Sequence, residues 1–117
     1  MSGYRVNQAG VTHARELIEK RRYDTTTSWS DAAPGADREN RWIERHGDDA
    51  YGEWHLAVDP DASPGTKARF RFPYGDFSRV NRAALVHAKQ RAVQNGHDEV
   101  AAAADDLLQR LDRAHGD

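Results

Sequence analysis

The sequence contains no cysteine. That absence excludes disulfides, thiolate metal sites and cysteine nucleophiles together. No apolar run approaches the roughly 20 residues needed to span a bilayer. Residues 1–10 lack the apolar core of a signal peptide, so no membrane partner is expected and the cytoplasm is the expected compartment. The phosphate-loop pattern G-x-x-x-x-G-K, the dinucleotide pattern G-x-G-x-x-G and the nucleophile elbow G-x-S-x-G are all missing. Ser28, Ser30, Ser63 and Ser78 have no activating neighbours in sequence, and neither a cofactor nor a catalytic residue is predicted.

Metal chemistry finds equally little support. Residues 59–65 place oxygens at alternate positions, as a calcium loop does, but such a loop needs glycine at its sixth position and glutamate at its twelfth. Pro64 and Phe70 stand there instead, and a capped turn is expected. Of the six histidines, His46 and His55 are the only pair near an acidic cluster (Asp48, Asp49, Glu53), without the spacing of a zinc site. A small metal-dependent hydrolase built on that region ranks last among the readings, and no metal ligand is assigned.

What the chain does have is length for one core. Its 117 residues predict a single domain over 1–117, large enough to bury roughly two-thirds of its unfolded surface. The mean hydropathy of -0.94 is low, but three Trp, four Tyr and three Phe supply bulky apolar anchors. The expected fold is α+β, with about four short helices packed on a two-stranded hairpin. Asn7 is placed to cap a first helix over 8–22, with Val11, Ala14, Leu17 and Ile18 on one side. A second helix spans 36–46, stopped by Gly47, with Trp42 and Ile43 as its core contacts. Strands over 54–59 and 67–72 flank a proline-containing loop, the second alternating Ala68, Phe70 and Phe72 with Lys67, Arg69 and Arg71. A third helix over 79–94 follows Ser78 as its cap. A last helix over 98–113 carries the core stripe Val100, Ala104, Leu107, Leu108 and Leu111.

Charge is distributed unevenly around a net of -2. Residues 24–61 hold ten acids against three arginines, a net of −7, and residues 66–93 hold seven bases against Asp76, a net of +6. Such asymmetry marks either a partner surface or two halves that neutralise each other. On an extended strand Lys67, Arg69 and Arg71 project together about every 6.6 Å, twice the rise per residue. That repeat suits successive phosphates. Arg79, Arg82 and Lys89 share a helix face at spacings of three and seven, and Tyr74 and Phe77 sit at the junction, where a ring stacks on a base.

Four stretches carry a resemblance. They are Trp54-His55-Leu56-Ala57-Val58-Asp59, Thr66-Lys67-Ala68-Arg69-Phe70-Arg71-Phe72-Pro73-Tyr74-Gly75-Asp76-Phe77, Val80-Asn81-Arg82 and Ala88-Lys89-Gln90-Arg91-Ala92. Together they resemble a family of small uncharacterised proteins of actinobacteria and halophilic archaea. The aromatic-Pro-aromatic-Gly segment with its Arg/Ala-rich helix is more loosely similar to a short domain in phage head-associated proteins. The resemblance implies no activity, only that residues 66–92 act as a unit.

The leading expectation is a non-enzymatic binding module that uses Lys67, Arg69, Arg71, Tyr74, Arg79, Arg82 and Lys89. Nucleic acid or an acidic protein surface would be its partner. The competing expectation is a structural protein whose acidic and basic halves complement each other, within one chain or across a homodimer.

Overall fold

The computed structural model describes residues 3–116. Its frame is three helices, α1 (Gln8–Glu19), α5 (Arg82–Gln94) and α6 (Asp98–Gly116), against a small sheet. Each helix buries the stripe its sequence dictates. Val11, Ala14, Leu17 and Ile18 point inward from α1, and Ala84, Leu85, Ala88 and Ala92 from α5. From α6 come Val100, Ala101, Ala104, Leu107, Leu108 and Leu111. The small residues on α5 let α6 pack closely against it. The turn between them is a Schellman motif: the N–H of His97 donates to the Ala92 carbonyl at 2.8 Å and that of Gly96 to Val93 at 3.2 Å. Gly96 supplies the left-handed φ of 74° that this requires.

The sheet has the order β1-β3-β4, both pairs antiparallel, from β1 (Arg5–Val6), β3 (His55–Val58) and β4 (Phe70–Pro73). The central β3 is buried, with Leu56 and Ala57 fully enclosed. In place of a lone hairpin there is thus a third strand, and a separate parallel pair joins β2 (Tyr23–Asp24) to β5 (Val80–Asn81). Three shorter helices, α2 (Trp29–Ala32), α3 (Ala36–His46) and α4 (Asp48–Gly52), fill the segment between β2 and β3. No helix among the described residues is long and apolar enough to cross a membrane.

Several boundaries differ from the sequence expectation. Lys67–Arg69 is a 3-10 turn, and the strand begins only at Phe70. The turn closes the 59–65 loop: the Asp59 N–H donates to the Arg69 carbonyl at 2.7 Å and the Arg69 N–H to Thr66 at 3.3 Å. The third helix starts at Arg82, not 79, because Asn81 is its cap, accepting from the Ala84 N–H at 2.9 Å. Residues ahead of it are held by Asp76, whose Oδ1 accepts from the N–H groups of Ser78 and Arg79. Asn7 stands at the start of α1 but makes no cap bond; its amide donates to the carbonyls of Gly52 and His55 and ties the helix to the sheet. That helix ends at Glu19, and α6 runs on to Gly116.

Candidate functional site

The seven basic-segment candidates divide sharply by partner. Arg82 makes a two-pronged ion pair with Asp112, at 2.8 and 3.1 Å, and Lys89 reaches Asp105 at 2.8 Å. Both bridges tie α5 to α6. Lys67 lies 3.3 Å from Glu39, and the Arg69 guanidinium donates to the Ala62 carbonyl at 3.0 Å, bracing the loop. Tyr74 is fully buried, so it offers no face to a ligand; the expectation that it stacks on a base is corrected here. Its hydroxyl donates to the Glu53 carbonyl at 2.7 Å, and its ring stacks on Trp54. With that proton committed, His13 Nδ1, 2.8 Å from the same hydroxyl, acts as a donor to it. Burial pushes the Tyr74 phenol far above its ordinary pKa.

The expected row of three cations on one strand is not formed either. With Lys67 and Arg69 in the turn, Arg71 alone of the three lies on β4. Arg79 precedes the helix and is exposed. Among the described residues neither Arg71 nor Arg79 is in an ion pair.

Arg71 opens onto a cleft of about 350 Å³ that β4, α5 and the segments carrying Tyr4 and Trp29 enclose. Arg71, Arg91 and His87 line it together with the rings of Tyr4, Trp29 and Phe72. Among the described residues no acidic one lines it. The Arg71 guanidinium lies 5.7 Å from the centre of the Tyr4 ring, a cation–π contact that holds it over the rim. Tyr4 is in turn stacked on His97 at 4.6 Å. Phe72 has a φ of 62°, a conformation that a bulky residue adopts only under constraint from its surroundings.

Tyr4, Trp29, His87 and Arg91 belong to this cleft and were not among the sequence candidates. Arg91 carried a signal, since it sits in the basic segment two residues beyond Lys89. Tyr4 and Trp29 carried none, because chain folding alone brings them beside β4.

The two histidines of the hydrolase reading are not brought together. His55 is buried, its Nδ1–H donating to the Tyr51 carbonyl at 2.9 Å, and burial lowers its pKa to about 4. His46 is exposed and packs on Trp42 at 3.8 Å. Among the described residues no group of three or more His, Asp or Glu side chains gathers in an arrangement that holds a metal ion. Comparison with protein-family models, with curated proteins and with solved structures finds no match, so the site itself carries the argument about function.

Proposed function

We propose that this protein is a non-enzymatic binding module for single-stranded nucleic acid, held in the cleft between Arg71 and Arg91. One observation carries the reading. Arg71 and Arg91, two cations of the basic segment that are in no ion pair among the described residues, border an aromatic cleft that no described acidic residue lines. Guanidinium groups suit phosphate oxygens. Rings at the cleft wall suit unstacked bases, a contact worth about 1–3 kcal/mol per base. Duplex reading in a major groove needs a helix or ribbon presented outward, whereas here the rings lie in a recess. With a net charge of -2, long-range attraction is weak, so the contact at the cleft supplies the affinity.

Within one chain, the competing reading, in which acidic and basic halves complement each other, is supported among the described residues by one ion pair, Lys67 with Glu39. Arg82 and Lys89 pair with α6, outside the acidic stretch.

Fluorescence anisotropy with a labelled oligo-dT tests the proposal. Binding should weaken as salt rises, with a slope of about 0.7 per phosphate contact. Arg71→Ala and Arg91→Ala should each weaken it, and Arg82→Ala should leave it unchanged. Absence of salt-dependent binding to any single strand would overturn it.

A further inference from the structure

The acidic half of the chain contains its own cationic surface. On α3, Arg38, Arg41 and Arg45 stand at spacings of three and four and form one stripe. They border a second cleft, of about 290 Å³, together with Trp42, His46 and Phe77. Asp37, Glu39 and Glu44 share the helix, yet among the described residues no carboxylate pairs with any of the three arginines. Glu39 is engaged elsewhere, by Lys67 and the Tyr51 hydroxyl.

The cleft is held in shape. Arg38 Nη2 donates to the Asp76 carbonyl at 2.8 Å. The Trp42 ring is stacked on Phe77, 4.8 Å away and within 4° of parallel, and also packs against His46. These rings are already occupied with one another, so the cleft offers guanidinium groups, not a stacking face. Among the described residues, Trp42 Nε1 is the one buried side-chain polar atom without a hydrogen-bond partner. Such an atom is uncommon in a folded protein and calls for an acceptor.

A third cavity, of about 120 Å³, has lining residues in common with both clefts. It shares Trp29 and Pro73 with the first and Phe77 with the second. Glu39, Trp54 and His55 line it, and no arginine does. The run is therefore cationic at both ends and unsuited to phosphate in the middle.

We infer that the α3 arginines are a second phosphate grip for the same strand that the first cleft takes. The strand crosses the middle cavity with its bases, not its phosphates, toward Glu39. This inference rests on the nucleic-acid reading of the first cleft.

The test compares oligo-dT of about 4 and about 16 nucleotides, the range that single-strand-binding domains cover. The wild-type chain should bind the longer strand at least about tenfold tighter, a gain of about 1.4 kcal/mol. The double variant Arg41→Ala, Arg45→Ala should lose that gain, with a salt slope smaller by about 0.7 per arginine removed. Its affinity for the short strand should not change. Wild-type affinity of the double variant for the long strand overturns the inference while leaving the first cleft standing. Short-strand binding that ignores Arg71→Ala and Arg91→Ala overturns the first reading, and this one with it.

Discussion

Arg82 and Asp112 face each other across the α5–α6 interface in a two-pronged pair, guanidinium nitrogens at 2.8 and 3.1 Å from the carboxylate oxygens. The pair converts what reads in sequence as a free cation into part of the frame. Each group favours the other's charge: the carboxyl is held below its ordinary pKa and the guanidinium above its own. Both side chains remain substantially solvated, so the bridge contributes little, about 0.2–1 kcal/mol. Arg82→Ala should lower the urea midpoint slightly, and Asp112→Ala by a similar amount. The double variant should lose less than the two single losses combined. Oligonucleotide affinity should be unchanged throughout; a loss of affinity in Arg82→Ala alone would return this residue to the binding surface.

Tyr74 gives a clearer separation of folding from binding. Its hydroxyl is buried between the Glu53 carbonyl and His13. Tyr74→Phe keeps the ring against Trp54 but leaves both partners short of a hydrogen bond, at a cost of about 1–3 kcal/mol. Chemical denaturation should register that loss. Affinity for oligo-dT at a temperature where both proteins are folded should not move. A variant of unchanged stability and weakened binding would show that the hydroxyl reaches the ligand.

How much of this was legible in advance depends on how local each cause is. The stripe from Val100 to Leu111 and the bounds of α3 could be read directly, because one helix face and one flanking glycine determine them. The alternation from Lys67 to Phe72 has the period of a strand, yet its first half is a turn. The deciding bonds come from Asp59 and Thr66, across a loop. Asn81 and Tyr23–Asp24 define the start of α5 between them, and they are more than fifty residues apart in the chain. The charge count failed in the same way. It located the basic segment correctly, but the acids that neutralise Arg82 and Lys89 lie on α6, outside the stretch counted as acidic. The cleft draws on Tyr4, Trp29, Arg71 and Arg91, four positions with no shared local pattern. Even the Pro73-Tyr74-Gly75-Asp76 motif proves to be a folding device. Tyr74 is core, Asp76 caps the next turn, and a Cβ on Gly75 would strike the Arg79 carbonyl and the Trp54 ring.

His55 makes stability depend on pH. Its ring is enclosed beside Tyr51 and Phe70, and burial holds its pKa at about 4 against an ordinary 6.5. Above pH 6.5 the ring is neutral whether the chain is folded or unfolded, so it adds no slope there. Between pH 6.5 and about 4 the unfolded chain binds a proton that the fold refuses. Stability should therefore fall as the pH falls through that window, by up to about 3 kcal/mol, and this contribution should level off below it. Urea midpoints measured from pH 8 down to pH 4 check the prediction. In His55→Gln that part of the slope should vanish; an unaltered slope would assign it to other groups.

Phe77 permits a test in which the usual ranking of two substitutions reverses. Its backbone has a φ of 69°, and its ring is stacked on Trp42 and lies edge-on to Trp54. A bulky residue in that conformation costs about 1–3 kcal/mol, and glycine adopts it without strain. Both Phe77→Ala and Phe77→Gly remove the ring, losing the same stack and most of the same burial. They differ chiefly in the backbone: alanine keeps the strain and glycine releases it. At most sites glycine is the less stable of the two because its unfolded chain is more disordered. Here Phe77→Gly should be the more stable variant, by about 1 kcal/mol after that entropy is offset. Thermal melts of the two, side by side, decide the matter. If alanine proves the more stable, the positive φ at Phe77 is maintained by the ring's own packing and relaxes once the ring is gone. Trp42 fluorescence should shift in both variants, since each uncovers the indole face that Phe77 occupies.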